Sequence, residues 1–324
     1  MTDEELTGLL MPLYLSFNNL AELERRPLLA HYTSLGVLEK IMESGELWLS
    51  NPLFMNDLEE MRFGMVEGAK AFDQVAKEQQ FIETCGTSEN LIKISNCFHW
   101  HANQFEYNHA ANVYVFCLSE HNNASDDGRL SMWRAYGGNG NGAAIIFNTD
   151  FITLKNGSPL YFAQVKYESA EGRIEWMKDT FRKCILAIES NEITDDIIQR
   201  IALHMFNLME LYALTTKHKG FEEENEWRLI YLPERDIHKL LTECFSYIIG
   251  KNGIEPKLRF KIEPLKVDPP ETWTFDSIVN KIILGPSVSS PIARKSVERM
   301  FEAHGRPNFK ERLSVSKIPL RPAS

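Results

Sequence analysis

The stretch "LLAHYTS", Leu28 to Ser34, is the first segment of the sequence that predicts a β-strand, and the order of the strands that follow it indicates the fold. Apolar residues precede a histidine and small polar residues follow it, so the stretch predicts a short β-strand that carries His31 near its end. A histidine in such a place is either hydrogen-bonded within the core or part of a ligand site. Taken by itself, this stretch favours the core histidine.

Strand and helix patterns continue outward from this stretch. "LGVLEKIMESG" has apolar residues three apart and predicts a helix that stops at Gly45, and "ELWLSNP" alternates and predicts a strand. The later segments that predict strands are "NVYVFCLSE", "GAAIIFN", "LYFAQVKYE", "NEWRLIYLP", "KLRFKIEPL", "VNKIILGP" and "RLSVSKIPL". The two longest helical patterns lie at about 172–218, and Thr194 or Asp195 is the natural N-cap of the second.

The order of these patterns indicates the fold class. Strands occur from end to end, and helices do not alternate with them strictly, which favours an α+β fold over a doubly wound parallel sheet. We expect a helical N-terminal segment over residues 1–27 and a single α+β domain over residues 28–324. A helical insertion is expected at about 172–218.

Composition narrows the function classes. The chain has 324 residues, 44% of them hydrophobic, which is enough for a large core, and its net charge of −10 argues against broad adhesion to nucleic-acid backbones or anionic membranes. Five scattered cysteines form no CxxC pair and favour a reducing compartment. No apolar run reaches the roughly 18 residues of a spanning helix. We expect a cytoplasmic protein with no membrane partner.

Two motifs test for metal or phosphate chemistry. In "CFHWH", Cys97, His99 and His101 alternate, so on a strand they would share one face, and with His109 they could hold zinc. No second ligand pair follows, so ordinary side chains are the favoured interpretation. "GGNGNG", residues 137–142, lacks dinucleotide-binding spacing and favours a flexible turn over a ligand-binding loop.

The densest polar cluster is "FEEENEWRLIY", residues 221–231. Glu222 and Glu223 are expected to be solvated. If a strand starts near Glu224, then Glu224, Glu226 and Arg228 share one face, because residues two apart on a strand point the same way. Two carboxylates and a guanidinium in a row predict a polar cleft.

Two further stretches leave a choice open. In "NDLEE", Asn56 or Asp57 either caps a helix or contacts a ligand. In "WRAY", Trp133 and Tyr136 are helix neighbours, a spacing that more often belongs to a core than to a binding site.

Taken together, the segments resemble an uncharacterised bacterial domain family with an HYT strand, an ND-x-x-E turn, a W-x-x-Y segment and an E-x-E-W-R strand. The resemblance covers roughly His31 to Leu320. The opening segment also resembles ADP-ribosyltransferases, which place a histidine on the first strand, followed by Thr or Ser, a helix and a glycine. Arginine-directed members carry Glu-x-Glu on a late strand, as Glu224-Asn225-Glu226 does here.

This resemblance implies an ADP-ribosyltransferase-like split β-sheet that grips NAD⁺. Glu226 would stabilise the positive charge that grows on the ribose when nicotinamide leaves, and Glu224 would orient or deprotonate the acceptor. With these acids downstream, His31 is expected to bind the ribose or the nicotinamide amide, supported by Thr33 or Ser34.

The remaining roles stay open between alternatives. Tyr136 is the natural candidate to stack on the nicotinamide ring, with Tyr32 and Trp48 as alternatives. The strand serine of related enzymes corresponds to Ser50 or Ser119. The cofactor-binding residues expected from the resemblance are His31, Tyr32, Thr33, Ser50, Asn56, Tyr136 and Arg228.

The expected function is transfer of ADP-ribose from NAD⁺ to a nucleic acid such as RNA, or to a protein, by a bacterial toxin or an anti-phage effector. A cytoplasmic toxin would need a cognate antitoxin or inhibitor. The alternatives are an NAD⁺ glycohydrolase, which passes ADP-ribose to water, and a non-catalytic module that senses a nucleotide.

Overall fold

The computed structural model describes most of the chain. The described residues are 1–17, 20, 23–55, 58–105, 112–122, 126–152, 154, 158–189, 192–250, 253–265 and 273–320. Asn56, one of the expected cofactor-binding residues, lies outside them, as do Asp57 and His109.

The strands are β1 (Leu28–Thr33), β2 (Glu46–Ser50), β3 (Tyr114–His121), β4 (Ala143–Asn148), β5 (Leu160–Gln164), β6 (Lys166–Glu168), β7 (Thr216–His218), β8 (Glu226–Tyr231), β9 (Phe245–Gly250), β10 (Gly253–Lys261), β11 (Val279–Leu284) and β12 (Leu313–Val315). The α-helices are α1 (Asp3–Leu15), α2 (Leu35–Ser44), α3 (Leu58–Val75), α4 (Gln79–Cys85), α5 (Ser88–Asn103), α6 (Leu130–Ala135), α7 (Ala170–Leu186), α8 (Asp195–Thr215), α9 (Phe275–Ile278) and α10 (Pro291–Ala303).

The chain folds into two compact units, each built from three separate stretches. The helical unit takes residues 1–19, 51–113 and 164–222, and the sheet unit takes residues 20–50, 114–163 and 223–324. The helices predicted at about 172–218 lie in the helical unit, together with α1, α3, α4 and α5.

The helical unit is held by aromatic and small residues between its helices. Phe72 of α3 stacks on Phe98 of α5 with ring centroids 4.0 Å apart, and Trp176 of α7 stacks on Tyr212 of α8 at the same distance. The predicted cap of α8 is confirmed, because the Thr194 hydroxyl accepts a hydrogen bond from the backbone N–H three residues later.

Helices α3 and α8 approach closely because α3 carries glycines at its contact. A Cβ atom on Gly64 would lie 2.5 Å from the Cβ of Ala213 and 2.9 Å from its Cα. One turn later, a Cβ on Gly68 would meet the Met209 side chain at 2.5 Å. Glycine at these two positions therefore permits the backbones of α3 and α8 to pack at this separation.

The sheet unit contains a ten-stranded mixed sheet, which confirms the predicted α+β class. Its main path runs β12-β11-β4-β1-β3-β2-β10-β9, while β8 pairs with β3 and β5 pairs with β8. β11 and β12 pair in parallel, whereas the pairs β1–β3, β1–β4, β2–β3, β2–β10, β3–β8, β4–β11 and β9–β10 are antiparallel.

The sheet forks at His31. Strand β1 pairs with β3 at three positions, the last of which joins Ala30 to Ser119. From His31 to Thr33 it continues only on β4, and β3 next pairs on this edge with β2, where Ser50 meets Val115. The fork leaves a gap on the edge of β3 between these two pairings.

The two faces of the sheet carry different side chains. Leu29, Phe116 and Trp227 belong to the large core on one face, whereas Ala30 and Tyr32 belong to a smaller cluster on the other. Because side chains alternate along a strand, His31 lies on the face of the large core and its neighbour Tyr32 lies on the opposite face.

The structure confirms the predicted alternation of β2 and places residues 97–101 on a helix. Leu47 and Leu49 of β2 are buried while Trp48 between them is exposed, as the alternation predicts. Cys97, His99 and His101 lie on α5, so they do not have the shared face that they would have on a strand.

Candidate functional site

The site is built around the start of β8. Glu226 pairs with Ser119 of β3, and Arg228 pairs with Cys117, so all four side chains lie on the same face as Tyr32. This is the face opposite the large core.

Glu226 and Arg228 form a buried ion pair on that face. The Arg228 Nε donates to Glu226 Oε1 at 2.8 Å and its Nη2 donates to Oε2 at 3.2 Å. Both side chains are only 5% exposed. The paired charges compensate each other where water is largely excluded, and the bidentate geometry fixes both side chains.

Glu224 does not continue the strand face, so the prediction of three residues in a row is wrong for this position. It ends a 3₁₀ turn over residues 219–224, and Asn225 then takes a left-handed conformation with φ of 41° before β8 begins. Asparagine tolerates this conformation better than most residues. Glu224 therefore lies in the turn before β8 and not in the strand that carries Glu226 and Arg228.

Ser119 and Tyr136 both donate hydrogen bonds to Glu224. The Ser119 hydroxyl donates to its carbonyl oxygen at 2.6 Å, and the Tyr136 hydroxyl donates to its Oε1 at 2.8 Å. Tyr136 is 41% exposed, and Glu224 is partly exposed, so this carboxylate is more accessible than that of Glu226.

Arg129 forms hydrogen bonds both with the turn before β8 and with β1. Its guanidinium donates to the carbonyl of Glu223 at 3.0 Å, and its backbone N–H donates to the Tyr32 hydroxyl at 2.8 Å. Burial raises the pKa of the Tyr32 hydroxyl. The Tyr32 ring also meets Trp133 edge to face, with centroids 4.9 Å apart.

His31 lies at the fork and makes the contacts of a packed histidine. Its Nδ1 donates to the carbonyl of Cys117 at 3.1 Å, and its ring lies 4.3 Å from that of Phe116. That carbonyl lies where β1 has left β3, so the imidazole supplies the hydrogen bond that the missing strand would have made. Burial lowers the pKa of His31 to about 4, so the ring is neutral at pH 7 and Nε2 is an acceptor.

The structure therefore brings some of the expected residues together and not others. One face of the sheet carries Tyr32, Glu226 and Arg228. The turn before β8 carries Glu224, which is hydrogen-bonded to Tyr136. His31 projects from the other face, and its ligand-binding role stays a prediction.

The expected serine and threonine residues have other contacts. The Ser50 hydroxyl accepts a hydrogen bond from Lys257 Nζ at 2.9 Å, and Ser34 caps α2 by accepting from the Val37 N–H. Thr33 is buried at the end of β1. Trp48, an alternative stacking residue, lies under the guanidinium of Arg259 at 5.2 Å.

The glycine-rich segment has a packing role. A side chain at Gly142 would collide with the carbonyl of Thr33, and Gly140 has a φ of 86°. The Gly285 N–H also donates to the Gly142 carbonyl at 2.9 Å. These contacts are with the protein's own backbone and agree with the interpretation as a turn.

The sequence analysis did not identify Arg129, and it left Ser119 as one of two alternatives. Arg129 lies 94 positions before its partner Glu223, and Ser119 lies 105 before Glu224. No motif links residues at these separations, so only the fold brings them together.

The described residues contain neither a metal-binding cluster nor a helix that could span a membrane. Across the residues that the structure describes, no group of three or more His, Cys, Asp or Glu side chains is placed to hold a metal ion. None of the helices in that part of the chain is both long enough and apolar enough to span a bilayer.

Comparison with known proteins gives one match. Residues 132–229 match the family described as "Protein of unknown function (DUF2971)", which confirms the resemblance to an uncharacterised domain family over this span. The span runs from α6 into β8 and includes Tyr136, Glu224, Glu226 and Arg228. No curated protein and no solved structure matches the chain. Nothing links the chain to ADP-ribosyltransferases, so that part of the resemblance stays a prediction.

Proposed function

We propose that this protein is an NAD⁺-dependent ADP-ribosyltransferase that modifies a nucleic acid such as RNA, or a protein, and acts as a bacterial toxin or anti-phage effector. The observation that carries the proposal is the arrangement at the start of β8. A partly exposed acid, Glu224, is held by Tyr136 two residues from the buried pair of Glu226 and Arg228.

The proposed chemistry needs an anion beside the ribose. The bond between the ribose C1 carbon and the nicotinamide nitrogen breaks, nicotinamide leaves as a neutral molecule, and positive charge develops on the ribose ring. A fixed carboxylate lowers the energy of that charged transition state. The acceptor then attacks C1 and passes its proton to a base, a role that suits the accessible Glu224.

The ion pair with Arg228 limits how the carboxylate of Glu226 can contact a ribose. Both of its oxygens accept hydrogen bonds from Arg228, so contact with a ribose requires at least one of these bonds to be shared or exchanged. The carboxylate of Glu224 accepts a hydrogen bond from Tyr136, which is 41% exposed, so it lies closer to solvent than that of Glu226. We therefore expect Glu224 to be the cleaner position for a catalytic test.

The buried pair also favours a second candidate, a non-catalytic module that senses a nucleotide. In such a module the pair of Glu226 and Arg228 would be structural, and Tyr136 and Glu224 would provide a polar and aromatic binding surface. Binding of NAD⁺ without turnover would support this candidate.

The test uses the full chain, NAD⁺ labelled on its adenine ribose, and total bacterial RNA, DNA and protein as acceptors. Label on a macromolecule supports the transferase, free ADP-ribose supports the glycohydrolase, and binding without turnover supports the sensor. Glu224→Gln should reduce transfer by at least about 100-fold, because it removes a general base. Glu222→Gln is the matched control, since it changes an exposed acid of the same turn and should leave transfer unchanged.

Two results would count against the proposal. Full activity of Glu224→Gln would remove the base assignment, and the absence of any NAD⁺ binding by calorimetry would remove both the transferase and the sensor. Mass analysis of total RNA, DNA and protein after brief expression identifies the acceptor. Expression with neighbouring genes that suppress toxicity would identify the inhibitor.

A further inference from the structure

The hairpin of β9 and β10 leaves one edge of the sheet open. β9 pairs with β10 from Phe245 to Gly250, and no other strand in the described part of the chain pairs with its second edge. Residues 245–250, "FSYIIG", contain neither a charge nor a proline. Edge strands usually carry such residues, because a free row of N–H and C=O groups otherwise pairs with another strand.

One face of this hairpin is apolar and exposed. Tyr247 is 63% exposed, Ile249 is 81% exposed, and Ile254, which lies opposite Ile249, is 68% exposed. At the base of the same face, the Phe245 ring packs on Tyr114 with centroids 5.5 Å apart. Single exposed apolar residues are common on protein surfaces, whereas neighbouring large ones mark an interaction surface.

Pro256 determines which backbone groups of β9 face the open edge. It lies opposite Tyr247, and without an N–H it cannot form a hydrogen-bonded pair there. Hydrogen-bonded and non-hydrogen-bonded pairs alternate along an antiparallel ladder. Phe245, Tyr247 and Ile249 therefore direct their N–H and C=O groups away from β10, so the residues with exposed side chains also carry the backbone groups that no described strand pairs.

We propose that β9 pairs with β9 of a second copy of this chain, antiparallel about a two-fold axis at Tyr247. In this register Tyr247 faces the partner's Tyr247, and Phe245 faces the partner's Ile249. Each of the three pairs exchanges two backbone hydrogen bonds, which gives about six between the copies. The sheet then continues from one copy into the other.

Charge fits a second copy as the occupant. The ion pair nearest the edge joins Lys257 to Glu255 at 3.3 Å, and these side chains are only 10% and 14% exposed. No residue of β9 itself is charged, so a two-fold axis at Tyr247 places no like charges opposite one another along this strand despite the net charge of −10 on each chain.

The available area indicates a weak dimer. Fully buried aromatic side chains cover about 150–250 Å², so Tyr247, Ile249 and Ile254 with the strand edge offer on the order of 400–500 Å² per copy. This is the low end for specific interfaces, where complexes are transient. We expect half of the chains to be dimeric at a concentration on the order of 10–100 µM.

Sedimentation velocity of the full chain tests the proposal across this concentration range. Tyr247→Lys and Tyr247→Glu each place like charges opposite one another at the two-fold axis and should each remain monomeric. An equimolar mixture of the two variants places unlike charges opposite one another and should restore dimers. Ile292→Lys is the matched control, because Ile292 is 78% exposed on α10, and this variant should dimerise like the unmodified chain.

Three results would overturn the proposal. The first is an unmodified chain that stays monomeric up to about 300 µM, well above the expected midpoint. The second is a Tyr247→Lys chain that dimerises as well as the unmodified one. The third is a mixture of the two variants that stays monomeric while the unmodified chain dimerises, which would exclude the register. Thermal unfolding of each variant confirms that the exposed substitution leaves the fold intact.

Discussion

The substitution Glu226→Gln should destabilise the protein before any effect on activity is considered. It removes one charge of a pair whose side chains are 5% exposed and leaves the Arg228 guanidinium buried with a neutral partner. Breaking a buried pair from one side typically costs about 3–5 kcal/mol, because the remaining charge cannot recover its hydration. The amide of glutamine can still accept one hydrogen bond, so we expect the lower part of this range.

The sheet unit offers an internal control for this value. Arg259 donates to Glu46 with the same bidentate geometry, at 2.9 and 3.0 Å, but the Arg259 side chain is 44% exposed. Glu46→Gln should therefore cost at most about 1 kcal/mol, because water and salt screen the exposed pair. The double variant Glu226→Gln/Arg228→Met should recover most of the loss, since it removes both charges of the pair from the interior.

Urea unfolding followed by tryptophan fluorescence measures these differences. For a unit of about 150–250 residues, each kcal/mol lowers the midpoint of thermal unfolding by about 2–4 °C, so Glu226→Gln should lose about 6–12 °C. Equal losses in Glu226→Gln and Glu46→Gln would refute the reasoning from burial. A double variant no more stable than Glu226→Gln would refute the unpaired charge as the cause.

Two further predictions concern other parts of the fold. The pKa of His31 is lowered to about 4 in the folded chain, so the unfolded chain binds a proton first as the pH falls. The free energy of unfolding should therefore drop by about 3 kcal/mol between pH 6.5 and 4. Parallel urea titrations of His31→Gln should lack this part of the drop. Gly64→Ala should lower the free energy of unfolding by about 1–3 kcal/mol because its Cβ meets Ala213. Gly8→Ala, on an open face of α1, should raise it by about 0.5–1 kcal/mol, and the same sign for both glycine variants in chemical denaturation would contradict the packing argument.

Elements whose signals are local could be predicted from the sequence. The apolar spacing of α2 and the stop at Gly45 predict this helix, and Gly45 indeed takes a φ of 69°. The alternation in β2 fixes which of its residues are buried. Residues 97–101 show the limit of such patterns, because they alternate as a strand would although they lie on α5, whose buried residues Ile94 and Phe98 are four positions apart.

The candidate site could be predicted only in part. The acids at 224 and 226 stand out by their density, and the resemblance points to them. The sequence does not show that Asn225 breaks the strand, because its left-handed conformation depends on how the turn is tied to Ser119 and Arg129. It also does not show that His31 and Glu226 lie on opposite faces, since that depends on the register between β1, β3 and β8.

The interleaving of the two units has a consequence for synthesis of the protein on the ribosome. Each unit needs three stretches of chain, and the helical unit has its last stretch only when residue 222 has emerged. The matched residues 132–229 include the first four residues of β8 but none of β3, to which β8 is hydrogen-bonded. Nascent β8 therefore pairs with a strand that was synthesised more than a hundred residues earlier, so β3 must stay unaggregated throughout that interval. A peptide restricted to the matched span would lack β3 altogether.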